Sequence, residues 1–291
     1  MMKDRIIGVV VLYNPNIEKL IDNINCYIQS INKLLLWQNS YIADENKKRI
    51  INECDCSEKI VFCGNGSNSG LDVAFNEALK ISLNEQYTYL MTMDQDSTWS
   101  GFEEYLSAVV SVKNNRVAIF GPKAVNVFDN ANSQNEESSI EKTDFVISSG
   151  AIYKVNELKL IGGFADGYFI DAIDEEVCFR AEKQGFETVR INTAKLFQEF
   201  GAYKKRSVFG KTVASSNYSA FRYYYIVRNH IWLAKSGLLD KQQRRLTLRN
   251  YVFSLSAKVL LCEENKMKKV ISISKGIWAG CFTKPKVRTI Q

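Results

Sequence analysis

The chain has 291 residues, of which 46% are hydrophobic and 24% charged, as in ordinary globular proteins. This composition excludes a disordered chain, and the low content of three prolines and 16 glycines excludes a collagen-like one. No run of about 18 apolar residues occurs, so we expect no transmembrane helix. The apolar N-terminus indicates a buried strand and not a signal peptide. Seven scattered cysteines without a CxxC pair, and a single histidine, argue against a zinc site and favour a reduced cytoplasmic protein.

Charge is unevenly distributed along the chain. Residues 201–291 contain 19 Lys and Arg against 3 Asp and Glu, whereas residues 1–200 contain 19 against 29. The net charge of +6 therefore combines an acidic body with a basic C-terminal third. Such asymmetry predicts an anionic partner. We expect no nucleic acid, because the aromatic residues follow core positions and not stacking platforms.

Apolar segments without polar alternation alternate with amphipathic ones, which predicts an α/β fold with a mostly parallel, Rossmann-like sheet flanked by helices. Strands are predicted at 5–13, 33–37, 59–63, 87–93, 116–120 and 144–153. Helices are predicted at 17–31, 71–83, 102–113, 171–184 and throughout the region beyond about 215. We therefore divide the chain into an α/β domain, 1–214, and a basic helical region, 215–291.

Polar loops follow the predicted strands at their carboxyl ends, where parallel sheets bind ligands. Asp94 and Asp96 come directly after a buried strand, and two carboxylates at this spacing suit one divalent cation shared with phosphate oxygens. The alternative is an Asx-turn that caps a helix near Trp99. The loop 64–70 is glycine-rich but has neither the P-loop nor the dinucleotide-binding spacing, so it predicts a tight turn beside a nucleotide.

Four carboxylates stand at the start of the helix predicted at 171–184, where the helix dipole favours anions. They are Asp171, Asp174, Glu175 and Glu176. One interpretation is simple acidic enrichment at a helix start. The other is a general base at a cleft, with Asp171, Asp174 and Glu175 on one helix face.

Six segments in order carry a family resemblance over about residues 5–235: VVVLYNPN, LLLWQNS, GNGSNSGLDVAFNEAL, YLMTMDQDS, SSGAIYKVNELKLIGGFADGYFIDAIDEEVCFRAEKQGF and YYYIVRN. Together they resemble inverting GT-A glycosyltransferases, in the rhamnosyltransferase-like branch of the bacterial family that builds cell-surface polysaccharides. The resemblance implies transfer of L-rhamnose from dTDP-L-rhamnose to a polyprenyl-diphosphate-linked glycan in O-antigen or capsule synthesis.

The resemblance also implies a role for individual residues. Asp174 would be the catalytic base, and Asp96 with Asp94 would hold Mg²⁺ or Mn²⁺ against the diphosphate. The implied nucleotide-binding residues are Leu12, Tyr13, Asn14, Gln38, Asn68, Gly70 and Asp94. The implied sugar and acceptor residues are Ser149, Gly150, Asp171, Glu175, Glu176 and Arg180, the last two also supporting their helix. Arg228 and Asn229 match a recurrent pair without an assigned role.

Two positions depart from the family pattern. Gln38 replaces the Asp that usually contacts the nucleotide base, although an amide also bonds a pyrimidine edge. Gln198 stands where many members have a metal- or diphosphate-contacting His, and an amide is a poor metal ligand. The lone His230 is expected to be structural. These departures leave a catalytically weakened assembly subunit as an alternative, and Met91–Thr98 also resembles the DxDxT motif of phosphatases.

The basic C-terminal helices have two interpretations. Apolar stripes with basic edges fit helices that lie on an anionic membrane surface. They fit equally a bundle that packs on the α/β body with a solvated basic face. The first interpretation predicts a cytoplasmic protein, peripheral at the inner face of the membrane.

Overall fold

The computed structural model describes residues 5–126, 139–198, 204–208 and 211–286, with no side-chain description for 204–208 and 211–214. In chain order the helices and strands are β1 (Ile6–Leu12), α1 (Ile17–Asn25), β2 (Lys33–Gln38), α2 (Asp44–Glu53), β3 (Ile60–Cys63), α3 (Leu71–Asn84), β4 (Tyr89–Asp94), β5 (Thr98–Ser100), α4 (Phe102–Ser111), β6 (Val117–Asn126), β7 (Ile140–Lys142), β8 (Ala151–Lys154), α5 (Val155–Ile161), α6 (Ile173–Lys183), β9 (Glu187–Gln198), β10 (Lys204–Val208), β11 (Lys211–Ser215), α7 (Ala220–Lys235), α8 (Lys241–Leu248), α9 (Leu255–Cys262) and α10 (Lys266–Phe282). A π-helical turn, Arg249–Ser254, joins α8 to α9.

The central sheet has the strand order β3-β2-β1-β4-β8-β6-β9-β5, with β7 paired to β9. Strands β3, β2, β1 and β4 are parallel neighbours, whereas β8 runs antiparallel to both β4 and β6. The predicted α/β sheet is confirmed. Its first strands are apolar on both faces because helices cover both sides of a parallel sheet.

Two apolar clusters lie on opposite faces of the sheet. One packs α1, α2 and α4 against it through buried side chains such as Leu20, Ile50 and Tyr105. The other packs α3, α5 and α6 through side chains such as Phe75 and Phe164. The sheet is therefore enclosed on both faces, and its carboxyl-end edge carries the polar loops.

The C-terminal helices form a third cluster, in which α10 packs along α7. Two glycines permit the close approach, since a Cβ on Gly276 would lie 2.6 Å from the Tyr224 carbonyl oxygen and one on Gly280 would lie 2.8 Å from Ile231 Cβ. The predicted helical character of this region is confirmed. The division at 214/215 falls inside β11 and stays a prediction. Within the described residues, no helix has the length and apolarity that a membrane span requires.

Three predicted boundaries were wrong for local reasons. The helix predicted at 171–184 begins only at Ile173, because Asp171 and Ala172 have left-handed backbone with φ of 65° and 60°. The strand predicted at 144–153 is confined to β8, since Gly150 turns the chain with a φ of 74°. The helix predicted at 17–31 ends at Asn25, and a 3-10 turn follows at Ile28–Ser30.

Candidate active site

The strand register brings the predicted polar residues to one edge. Leu12 pairs with Gln38 and Val11 pairs with Asp94, so β1, β2 and β4 end side by side. The edge at which these three strands end is called the cleft below. Leu12 itself is fully buried, whereas Tyr13 is 53% exposed at this edge. The Leu12 side chain therefore belongs to the core and does not line the cleft.

Hydrogen bonds from side chains of neighbouring loops to its backbone hold the loop after β1 in place. The Tyr13 N–H donates to Gln95 Oε1 at 2.8 Å, and Gln95 Nε2 donates back to the Tyr13 carbonyl at 3.1 Å. The Asn14 N–H donates to Ser40 Oγ at 2.7 Å. Gln95 and Ser40 thus tie this loop to the loops that follow β4 and β2.

Asn39 organises the loop 64–70. Its Oδ1 accepts from the Ser69 hydroxyl at 3.0 Å, and its Nδ2 donates to the Gly70 carbonyl at 3.4 Å. Gly70 has a φ of 92°, and a Cβ there would lie 2.7 Å from the Phe169 ring. Only glycine fits this position, which joins the loop to the segment before α6. Asn68 is exposed on the same loop.

Gln38 is buried to 9% exposure beside this loop. Its Nε2 donates to the Cys63 carbonyl at 3.3 Å, and its own carbonyl accepts from the Gly66 N–H at 3.1 Å. Gln38 therefore stabilises the end of β3 and the turn after it, at the place expected for a nucleotide base.

The Asp94 carboxylate is half-buried at the end of β4, and Asp96 is exposed two residues later. Burial, followed by the charge of Asp96 and then of Asp174, raises the pKa of Asp94 to about 7. Gln198 at the end of β9 donates from Nε2 to Asp94 Oδ2 at 2.6 Å, while its Oε1 is buried without a hydrogen bond among the described residues. The alternative of an Asx-turn helix cap was wrong, because Trp99 lies in strand β5 and α4 is capped by Gly101.

The side-chain oxygens at the end of β4 decide whether this place can bind a divalent cation. The Asp94 and Asp96 carboxylates are hard donors of the kind that Mg²⁺ and Mn²⁺ accept. The Gln198 amide, which contacts Asp94 through Nε2, has an oxygen without a hydrogen bond among the described residues. Among the described residues, no group of three His, Cys, Asp or Glu side chains is arranged to hold a metal. Two carboxylates would leave most coordination positions of a cation to other oxygens, such as those of a phosphate group, which Mg²⁺ commonly accepts.

Ser149 and Gly150 support the floor of the cleft. Ser149 Oγ accepts from the Asp94 N–H at 3.2 Å and donates to Ser97 Oγ at 2.9 Å, and the residue is only 1% exposed. A Cβ on Gly150 would lie 2.6 Å from the Trp99 ring. Both residues position β4 and its loop from within the protein.

Asp174 lies at the first turn of α6, half-buried on the cleft side. Its Oδ2 accepts from the Ser148 N–H at 3.2 Å and its Oδ1 from the Glu175 N–H at 3.1 Å. Burial, with a contribution from the charge of Glu175, raises the pKa of Asp174 to about 6. A carboxylate of this pKa accepts a proton readily near neutral pH.

Asp171 binds an arginine from the C-terminal helices. Arg222 at the start of α7 donates from Nε and Nη2 to the two Asp171 oxygens, at 3.0 and 2.9 Å. The positive charge of Arg222 partly opposes the rise in the pKa of Asp94. The Arg222–Asp171 pair therefore lies close enough to Asp94 to interact with its charge. Sequence reasoning missed Arg222, because its only signal was the general basic character of the C-terminal third.

The pair Arg228 and Asn229 has a structural role. Asn229 Nδ2 donates to the carbonyls of Tyr168, Ile170 and Asp171, at 2.6, 2.7 and 2.8 Å. Arg228 donates to the Gly167 carbonyl. Together they hold the backbone from Gly167 to Asp171, next to the left-handed residues Asp171 and Ala172 at which α6 begins.

Glu175 faces a stacked pair of rings formed by the buried His230 and the half-buried Tyr251. The His230 ring stacks on Tyr251 with centroids 3.5 Å apart, and its Nε2 lies 3.5 Å from Glu175 Oε1. The Tyr251 hydroxyl donates to the same oxygen at 3.4 Å. Burial disfavours the charged form of His230, but the Glu175 carboxylate 3.5 Å away outweighs burial and raises the pKa of His230. His230 and Tyr251 therefore contact the first turn of α6 through Glu175.

Glu176 and Arg180 lie inside the protein and not on the cleft. Glu176 is 3% exposed and Arg180 is 7% exposed, and the two form a bidentate pair at 2.8 and 2.7 Å. Arg180 also donates to the carbonyls of Ile161 and Gly163 after α5. The structure thus separates this pair from Asp171 and Asp174 and leaves it with the helix-supporting role.

Replacing Asp94 with asparagine should flatten the pH dependence of stability of the ligand-free protein between pH 5 and 8. The folded-state pKa of about 7 lies above the ordinary value of 3.8, so folding favours the protonated form and stability falls as pH rises through about 7. After allowance for solvent screening, we expect Asp94→Asn to raise the free energy of unfolding by on the order of 1–2 kcal/mol at pH 8. Urea titrations at pH 5 and at pH 8 measure this free energy. The exposed Glu45→Gln is the control, and a parallel shift in both variants would contradict the expectation.

The chain is similar to known proteins in sequence and in structure. The dTDP-rhamnosyl transferase RfbF of Shigella flexneri is 25% identical over 286 residues, which cover 92% of this chain and 91% of that protein. S. aureus TarS 1-349 has a TM-score of 0.58 at 14% identity, over 94% of this chain and 80% of that one, and it was also solved with UDP-GlcNAc. The mannosyltransferase PcManGT from Pyrobaculum calidifontis, solved with GDP-Man and Mn²⁺, has a TM-score of 0.57 at 12% identity, over 95% and 75% of the two chains. No protein-family profile matches the chain.

Proposed function

We propose that this chain, a glycosyltransferase with the GT-A fold, transfers L-rhamnose from dTDP-L-rhamnose to a polyprenyl-diphosphate-linked glycan in O-antigen or capsule synthesis. The fold and the enzyme class rest on the near-full-length relative and the solved structures, which confirm the resemblance seen in the motifs. The rhamnose donor is supported by the name of that relative. The acceptor and the location at the inner face of the membrane rest on the motif resemblance and on the basic C-terminal third.

One observation carries the proposed chemistry. Asp174 is held by two backbone N–H groups on the cleft side of α6, and its charge reaches Asp94 across the cleft. A base and a diphosphate-binding carboxylate on one cleft are the groups that a displacement at an anomeric carbon needs. The acceptor hydroxyl attacks that carbon, the bond to the nucleoside diphosphate breaks on the opposite face, and the Asp174 carboxylate takes the hydroxyl proton. The configuration at the anomeric carbon is thereby inverted.

Asp94 and Asp96 would hold the divalent cation, and Gln198 would orient Asp94 for it. A bound Mg²⁺ or Mn²⁺ offsets the charge that develops on the leaving diphosphate. Tyr13, Asn14, Gln38 and the loop 64–70 would receive the nucleoside at the ends of β1, β2 and β3.

A second candidate, a catalytically weakened assembly subunit, is favoured by one contact. Gln198 occupies Asp94 Oδ2 at 2.6 Å, where a cation would otherwise bind. The phosphatase alternative is not proposed, because the near-full-length relative is named as a transferase.

Calorimetry with dTDP, UDP and GDP, each with and without Mn²⁺, separates the two candidates. We expect dTDP to bind at least about tenfold more tightly with Mn²⁺, since the diphosphate completes the coordination that two carboxylates begin. Mn²⁺ alone should bind weakly for the same reason. Asp96→Ala should remove the Mn²⁺-dependent gain and Glu45→Gln should keep it. Folded protein that binds none of the three nucleotides would support the assembly subunit, and a preference for UDP or GDP would overturn the rhamnose donor.

A further inference from the structure

The exposed face of α10 is apolar, although the helix lies on the protein surface. Four of its side chains are exposed by 48–74%, namely Met267, Ile271, Trp278 and Phe282. At 3.6 residues per turn they fall within an arc of about 60°. The rings of Trp278 and Phe282 touch, with centroids 5.6 Å apart, so they form one patch.

The opposite face of α10 is already occupied. Ile273, Gly276 and Gly280 are buried against α7, and the two glycines leave no gap between the helices. The exposed stripe therefore has no role in holding α10 to the body. Large exposed apolar patches mark interaction surfaces in proteins.

Charge indicates what this stripe contacts. Lys268 and Lys275 are exposed and lie within about 40° of the edge of the apolar arc. Helix α10 contains no acidic residue, and its remaining inward lysine, Lys269, is paired with Glu263 at 2.7 Å. The whole region 201–291 has 19 basic residues against 3 acidic ones. A second copy of so basic a surface would be repelled, whereas an anionic bilayer complements it.

We propose that α10 docks the protein on an anionic lipid bilayer, with Met267, Ile271, Trp278 and Phe282 inserted among the acyl chains and Lys268 and Lys275 against the headgroups. Interfacial helices bind in this orientation, and tryptophan prefers the boundary between headgroups and acyl chains. The proposal rests on the proposed function only for the purpose of docking, which would give access to a lipid-linked acceptor. The contact with lipid is argued from the exposed side chains of α10 alone.

Vesicle flotation with the full chain tests the docking surface directly. We expect binding to vesicles that contain about a third phosphatidylglycerol to be at least about tenfold stronger than binding to pure phosphatidylcholine, and to weaken with salt. Trp278→Ala with Phe282→Ala should lower that binding about tenfold or more, and Lys268→Glu with Lys275→Glu should do the same. The matched control is Lys159→Glu with Leu160→Ala, an exposed lysine and leucine on α5.

Two further measurements separate the outcomes. Bromine-labelled lipids should quench Trp278 fluorescence in the wild type and not in Trp278→Phe, because the other three tryptophans, Trp37, Trp99 and Trp232, lie in the folded body. Calorimetric dTDP affinity reports folding of each variant and tests the proposed donor separately from docking. The proposal is overturned if the wild type does not bind anionic vesicles, or if both α10 double variants bind them as well as the wild type. It is also overturned if the wild type is a dimer that Trp278→Ala with Phe282→Ala dissociates, because this face would then bind a second copy of the chain.

Discussion

Asp174→Asn will lower the rate of sugar transfer by about three orders of magnitude and leave nucleotide affinity unchanged. The amide keeps the shape and an oxygen for the Ser148 N–H, which lies 3.2 Å from Asp174 Oδ2, but it cannot take the proton of the acceptor hydroxyl. General bases contribute about 10²–10⁴-fold, and a half-buried base with a pKa of about 6 is well matched to neutral pH. Initial rates of transfer with saturating donor give the loss, and calorimetry gives the affinity.

The pH dependence of the transfer rate tests the role of Asp174 independently. In the wild type, the transfer rate should rise with pH through about 6 as Asp174 loses its proton. Glu175→Gln is the matched control because it alters the neighbouring carboxylate, whose oxygen contacts Tyr251 and His230 instead of the cleft. Removing the charge of Glu175, which raises the pKa of Asp174, should move the rising limb to lower pH and retain most of the rate. Full activity in Asp174→Asn would show that another group takes the proton.

Glu176→Ala will destabilise the folded protein by about 3–5 kcal/mol. Deleting the carboxylate leaves the Arg180 guanidinium buried at 7% exposure with only the carbonyls of Ile161 and Gly163 as partners. Breaking a buried ion pair from one side costs this much because the remaining charge is uncompensated. Urea denaturation at neutral pH measures the change in the free energy of unfolding.

Two control variants test whether the stability loss comes from the burial of the Glu176–Arg180 ion pair. Arg49 and Glu53 on α2 have the same four-residue spacing at 2.7 Å but are each 45% exposed, so Glu53→Ala should cost far less stability than Glu176→Ala. Replacing Glu176 and Arg180 together with methionine should cost less than Glu176→Ala, because no charge is left unpaired. A loss below about 1 kcal/mol in Glu176→Ala, accompanied by a weaker acceptor KM, would return Glu176 to the acceptor site.

Both predictions concern α6, where the sequence alone was ambiguous. Asp174, Glu175 and Glu176 are consecutive, and successive helical residues point about 100° apart. One faces the cleft, one faces His230 and Tyr251, and one faces the core. The acidic run indicated a helix start and a functional site, but it did not indicate which carboxylate turns in which direction.

Some features follow from local sequence and were confirmed. The unbroken apolar runs at β1, β2 and β4 report burial on both faces, and such burial occurs where helices flank a parallel sheet. Asp94 stands at the end of its strand because the apolar run stops there. The order of the motifs along the chain is enough to indicate the GT-A fold and the enzyme class.

Other features depend on residues that lie far apart in the chain. Gln198 reaches Asp94 from 104 residues away, and Arg222 reaches Asp171 from 51 residues away. Hydrophobic periodicity reports how one segment is buried, but it carries no information on which distant side chain faces it. The same limit applies to the left-handed backbone at Asp171, because Asn229 on α7 holds it.

The sequence by itself therefore determined the alternation of strands and helices, the glycosyltransferase motifs and the basic C-terminal third. Tertiary structure alone decided that Glu176 and Arg180 turn into the core, that Gln198 and Arg222 enter the cleft, and that the apolar stripe of α10 faces outward. The physical reason is that local patterns depend on each segment's own burial. The direction of a side chain depends on the packing of segments that only the complete fold brings together.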